Sequence, residues 1–239
     1  MPRKPAASAY HHGDLRRSLL AVAFDILKTK GPEALSLREV ARAASVSHQA
    51  PYHHFPSRQH LLAALATEGF DDLASRLDEA QRQTQNLETI GQATGVAYVL
   101  FAAQNPERFR LMFGGEIGSR APYPELVDAS QRVFALLRRP FGTPPGSRPG
   151  RDDDGQVDQH PPASVVANVT AGQNPVVLTL WSTVHGLASL VVDGQVVLSG
   201  DALERAALAT TQMVWLGVKQ TLASAPTSVP TQQSRRPPS

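Results

Sequence analysis

The chain has 239 residues and no cysteine, room for one large domain or two smaller ones, and this excludes disulfides, thiolate nucleophiles and cysteine-ligated metals. Its net charge is only +2, but residues 1–58 hold nine Lys/Arg against four Asp/Glu while the remainder holds fourteen against seventeen. No run of eighteen apolar residues occurs and MPRKPAASAYHHG lacks the apolar centre of a signal peptide, so a soluble cytoplasmic protein with no membrane span is expected.

Residues 1–12, with Pro2, Arg3, Lys4 and Pro5, read as a disordered arm: a solvated tail before it is a phosphate contact. Gly13-Asp14 then caps a predicted helix with Leu15, Leu19, Val22, Ile26 and Leu27 on one face, stopped by Gly31-Pro32. Arg16 and Arg17 fall in its first turn, where the helix dipole disfavours cations, and that placement makes better sense if they meet phosphates.

The stretch SLREVARAASVSHQAPYHHFPSR, Ser36 to Arg58, predicts two short helices joined by a tight turn. Ser36 and Glu39 have capping-box spacing, and Leu37, Val40, Ala41 and Ala44 form one apolar face. Val46 plugs the corner, and Ser47 caps the second helix by accepting from the amide of Gln49 or Ala50. That helix presents His48, Gln49 and His53 outward, tolerates Pro51 in its first turn, and is anchored by Phe55. A helix-turn-helix needs this pattern, because polar residues of the second helix must face base edges in the major groove.

Helix, turn, helix, then Tyr-x-His-Phe, Ser-Arg and a leucine-rich helix resembles the N-terminal domain of TetR-type transcriptional regulators, over Leu15 to Leu65, with VSHQAPYHHF the specific part. The sequence departs from the family at Ser45, where Gly is common and a positive φ must be avoided or tolerated at some cost, and at Arg58, where Lys is common. The resemblance implies a DNA interface of Arg16, Arg17, Ser36, Ser47, His48, Gln49, Tyr52, His53 and Arg58. Within it Gln49 is the candidate base reader, because an amide can bond adenine N6 and N7 together, while Tyr52 and Arg58 match phosphate-contacting positions.

Pro56-Ser57 breaks the chain, Ser57 caps the next helix, and Leu61, Leu62, Leu65, Phe70, Leu73 and Leu77 continue it toward a polar, hinge-like tail at Gln81–Asn86. A helix over Leu87–Gln104 follows, with Ile90, Ala93, Ala97, Leu100 and Phe101 as core, and Gly91 and Gly95 either weaken it or admit close packing. Asn105-Pro106 opens a short helix to Phe113, and Tyr123–Arg139 is amphipathic. Gly142 to about residue 170 is rich in Pro, Gly and Asp and reads as a disordered insertion, in which Asp152–Asp154 and His160 make no metal site. Val176–Val192 is apolar nearly all round, which requires burial on every side, and the last helix runs from Gly200-Asp201 to about Ala223 before a polar tail at 224–239.

Trp181-x-x-x-His185-Gly186, with Arg110-Leu111-Met112-Phe113, is similar to the C-terminal domain of the TetR subgroup named for its Trp-His-Gly element. It implies an all-α chain: a three-helix DNA-binding domain (13–58) before a helical effector-binding and dimerisation domain (59–223). Leu100, Phe101, Phe109, Met112, Phe113, Trp181 and His185 are the candidate effector residues, most of them better suited to plain core. Val177, Val184, Leu187, Val191, Leu203, Ala207, Thr210 and Val214 are the candidate dimer face, since the last two long helices of such proteins pack against their twins. The expected partners are an operator duplex, a small-molecule effector and a second copy of the chain, with no cofactor and no metal. An effector-independent architectural protein or an activator of the same fold is the alternative; an enzyme finds no support in Ser-His-Asp spacing, metal-ligand spacing or a phosphate-binding Gly loop.

Overall fold

The computed structural model describes residues 12–84, 86–139 and 175–223, which form eight α-helices and two 3-10 turns with no strand among the described residues. The insertion and the tail inferred from sequence, and all of the arm but His12, lie outside them. Helix α1 (His12–Lys30) begins before Gly13-Asp14, so that pair lies within the helix instead of capping it. It ends where Gly31 takes φ 78 and Pro32 opens a 3-10 turn to Ala34. Helix α2 (Leu37–Ala43) buries Leu37, Val40 and Ala41, and a second 3-10 turn spans Ala50–His53. Leu19, Leu20, Ala23, Leu27 and Leu35 complete the small core with Phe55 and the first turns of α3 (Arg58–Arg82).

Helix α3 begins at the Ser57 cap, whose side chain accepts from the His60 amide, and its 25 residues extend about 37 Å. Its far half packs on α4 (Leu87–Gln104) and α6 (Pro124–Arg138), and α5 (Pro106–Phe113) lies across it. Its end is no hinge: Gln81 is buried, donating to the Leu136 carbonyl at 2.8 Å and to Thr94 Oγ1 at 3.3 Å. A polar residue there reads as exposed only until its three partners from α4, α6 and Arg139 are seen.

Helix α4 is enclosed by α3, α5, α7 (Pro175–Val192) and α8 (Gly200–Ala223). It therefore has no single core face: Thr94, Tyr98, Val99, Phe101 and Ala102 are buried, while Ile90, Ala93, Ala97 and Leu100 are only half so. Gly91 and Gly95 set its approach to α8, since a Cβ at either would overlap Trp215 or Thr211. The apolar core is continuous from α1 to α8. No helix among the described residues is long and apolar enough to cross a membrane.

Candidate functional site

Two sites emerge, one at each end of the core. At the small end, Ser36 accepts the Glu39 amide at 3.1 Å, but Glu39 does not reach back to complete the box. Its carboxylate instead takes Lys30 Nζ at 3.0 Å and Arg42 Nε and Nη2 at 2.8 Å. These hydrogen bonds, Arg42 first, hold Glu39 at a pKa of about 2. Two cations are thereby consumed, while Arg16, Arg17 and Arg38 have no carboxylate within 4 Å among the described residues.

After α2 the chain turns at Ser45, which accepts φ 55, the left-handed region, so the positive φ is tolerated rather than avoided. Val46 then donates to the Ala41 carbonyl at 3.0 Å. The second helix is tighter and shorter than expected: residues 48 and 49 form a turn and only Ala50–His53 winds, in 3-10 form. Ser47 caps it through its backbone carbonyl, which takes the Ala50 amide at 3.0 Å, and not through its side chain. Pro51, which cannot donate a backbone bond, sits inside this element and accounts for its failure to extend as an α-helix from Ser47.

The outcome is still a polar tip on an apolar anchor. Phe55 is 1% exposed and carries the Arg16 guanidinium over its ring at 5.4 Å. Ser36, Ser47, His48, Gln49, Tyr52 and His53 are all exposed. Arg38, His48, Gln49 and Tyr52 line a depression of about 500 Å³ at the tip. Arg38 was missed from the sequence; an unpaired cation in the first turn of α2, where the dipole disfavours it, is the same signal that singled out Arg16 and Arg17. Arg58 has a local role within the protomer: Nε donates to Leu35 O at 2.9 Å and Nη2 to Pro32 O at 2.7 Å. Most of its fork is spent clamping α3 to the preceding turn.

At the large end, His185 of α7 is the centre of a ring cluster. Phe113 lies 4.8 Å from it, Phe109 5.3 Å, Trp181 5.4 Å and Tyr98 6.2 Å between ring centres. Phe134 stacks edge-on to Trp181 at 5.3 Å. The Tyr98 hydroxyl meets His185 Nδ1 at 2.8 Å. Burial drives the Tyr98 pKa far above the phenol range against the opposing Trp181 N–H, and burial lowers that of His185. Both shifts favour the neutral forms of the phenol and the imidazole.

Of the candidate effector residues, Phe109, Phe113, Trp181 and His185 converge here. Phe101 does not: it lies under Arg76 at 5.4 Å. Met112 is fully buried with its sulfur against Gly69 of α3, and Leu100 packs partly buried on the core. Tyr98 was missed because it did not stand out on α4, whose several faces are apolar, and Phe134 because on the amphipathic α6 it reads as ordinary core.

The residues of the candidate dimer face divide by burial. Val184, Leu203 and Ala207 are at most 4% exposed, sealed inside the protomer by α4. Val177, Leu187, Val191, Thr210 and Val214 are half-buried. The apolar residues facing outward are Leu178 and Leu190 of α7 and Leu208, Met213 and Leu216 of α8. Periodicity cannot choose between two apolar faces of one helix, which is why the inward one was partly taken.

Among the described residues no group of His, Asp and Glu is placed to hold a metal ion. Residues 19–65 match the sequence profile of the tetR family of bacterial regulatory proteins, and residues 92–213 that of a tetracyclin repressor-like C-terminal domain. The HTH-type transcriptional activator FasR of Mycolicibacterium smegmatis is 30% identical over 132 residues, 53% of this chain and 60% of FasR. The HTH-type transcriptional regulator Rv1816 of Mycobacterium tuberculosis is 29% identical over 110 residues, 45% of this chain and 47% of its own. The chain thus spans about half the length of the curated relatives it matches. A solved protein of unknown function from Rhodococcus sp. RHA1 is 31% identical with a TM-score of 0.65, covering 88% of this chain and 98% of that one.

Proposed function

Because the chain belongs to the TetR family and is a DNA-binding transcriptional regulator rather than an enzyme, we propose that it is a homodimeric repressor of a pseudo-palindromic operator, released by a small-molecule effector. The observation that carries this is the polar tip, where Gln49, His48, Tyr52 and Arg38 stand around one depression on a rigid apolar anchor. Gln49 reads a base edge; Arg16, Arg17, Arg38, Tyr52, His53 and the Ser36 and Ser47 hydroxyls contact phosphates and set the register. Residues 13–58 supply the DNA-binding unit and 59–223 the sensing and pairing unit, with α3 shared between them.

Pairing uses the outward apolar side of α7 and α8, Leu178, Leu190, Leu208, Met213 and Leu216, together with the half-buried Val177, Leu187, Val191, Thr210 and Val214. Two-fold pairing presents two tips to half-sites about 34 Å apart, one turn of duplex. The effector occupies the His185 cluster, and its leverage on DNA equals its differential affinity for the two arrangements of the helices. FasR is named an activator, so activation by the same fold is the competing outcome.

Footprinting the protein on DNA upstream of its own gene tests the reading, with Gln49→Ala alongside. The substitution is expected to weaken specific binding by about 1–3 kcal/mol and to leave scrambled duplex unaffected. Equal loss on both duplexes refutes base readout by Gln49. Absence of any duplex binding at low ionic strength refutes the proposal itself.

A further inference from the structure

The helical core contains a guanidinium with no ionic partner. Arg120, in the segment between α5 and α6, is half-buried, and among the described residues no carboxylate lies within 4 Å of it. Nη2 donates to the Met112 carbonyl, the guanidinium lies over the Phe70 ring at 5.5 Å, and Nη1 is sealed from solvent with no acceptor. Burial alone lowers its pKa. An unsatisfied charged donor costs more than a neutral one, so its retention asks for an anion that is present only part of the time.

Its surroundings say what that anion is attached to. Phe70 meets Phe113 edge-on at 5.4 Å, and Phe113 meets His185 at 4.8 Å. Phe113, Trp181 and His185 are each only half-buried, so the ring cluster has an edge toward solvent, and burial of His185 and Tyr98 favours their uncharged forms. One cation thus stands beyond a strip of apolar rings. Gly115 and Gly118 lie on the segment that carries Arg120 with nothing within 4 Å of their would-be Cβ atoms, which leaves that segment room to shift around an incoming group.

We propose that Arg120 receives the carboxylate of an amphipathic monocarboxylic acid whose apolar body lies against Phe113 and the His185 cluster. This rests on the reading of that cluster as the effector site and names the class of effector. A dianion or a cation fits the same arrangement less well: among the described residues of the cluster and its edge, Arg120 is the cation without a carboxylate partner, and the ring cluster itself holds no carboxylate.

Titration of the full-length protein with 4-phenylbutyrate and decanoate, each against its uncharged amide, tests this by quenching of tryptophan fluorescence. A charge-assisted hydrogen bond predicts that each acid binds at least about tenfold more tightly than its amide. Arg120→Gln is expected to abolish that preference and Arg120→Lys to retain part of it, while Arg132→Gln, a surface control, leaves it unchanged. A merely structural Arg120 would alter stability without any acid-over-amide preference. No saturable binding of either acid, equal binding of acid and amide by the native protein, or a preference that survives Arg120→Gln overturns the inference. The same samples are assayed on the upstream duplex. DNA binding without acid preference sinks this inference alone, and acid preference without DNA binding sinks the regulatory reading alone.

Discussion

Gly95→Ala is a direct test of how closely α4 and α8 are packed. A Cβ there would overlap the Cγ2 methyl of Thr211 and stand 3.1 Å from Val184 Cγ1. Replacing glycine by alanine inside a helix ordinarily stabilises by about 1 kcal/mol. Here that gain is outweighed, because Thr211 is 1% exposed and its hydroxyl bonds the Ala207 and Leu208 carbonyls at 3.1 and 2.8 Å, which fixes the methyl in place. Overpacking of a dense core costs about 1–3 kcal/mol, so the net loss comes to about 0–2 kcal/mol, centred near 1. Thermal and urea unfolding at fixed protomer concentration should show, for a loss of about 1 kcal/mol, the midpoint falling by about 2–4 °C. Thr211→Ser removes only the offending methyl and keeps the hydroxyl, so the double variant Gly95→Ala/Thr211→Ser should recover about 1 kcal/mol relative to additivity. Gly95→Ala more stable than the native chain by the ordinary gain of about 1 kcal/mol, or a double variant that is simply additive, would refute the close approach.

Ser45→Gly should raise stability by about 0.5–1 kcal/mol, since glycine removes the left-handed penalty and returns part of it as backbone entropy; urea unfolding showing no gain would mean the turn does not hold φ 55. Glu39→Gln should flatten the acid limb of the stability curve. The native carboxylate, held near pKa 2, contributes stability that is complete above the unfolded value of about 4.5 and lost as pH falls toward 2, so equal slopes for both proteins in that window would refute the Lys30–Glu39–Arg42 linkage. Arg58→Lys, conservative in charge, should cost about 1–2 kcal/mol because an ammonium cannot span the Leu35 and Pro32 carbonyls together, and an unchanged unfolding midpoint would show that the clamp is idle.

What the sequence made legible follows from how local each signal is. The ends of α4 and α5 were readable because an Asn or Asn-Pro cap and a Gly stop act within one turn. Phe55 as anchor and the exposed Gln49 followed from polar and aromatic alternation across a few residues. The 3-10 winding of Ala50–His53 did not, because Pro51 is allowed by either helix type at its start. Gln81 looked like part of a hinge because its bonding partners at Thr94 and Leu136 are 13 and 55 residues away. The double life of α7 and α8, one apolar side facing α4 and another facing outward, has no periodic signature, so the sequence does not show that Val184, Leu203 and Ala207 belong to the inward side.

Helix α3 is a single rod with its base in the small core and its tip in the large one, and α5 is seated on it near the middle. A Cβ on Gly69 would meet Met112 Sδ at 2.6 Å and Arg108 Cγ at 2.8 Å, while the Arg108 guanidinium lies 4.1 Å from the ring of Phe24 on α1. Gly69 is about 16 Å from one end of the rod and about 20 Å from the other. Phe113 meets Phe70, the residue beside Gly69, so a push from the rings arrives at the pivot itself, where it would carry both halves of the rod sideways together instead of tilting one against the other.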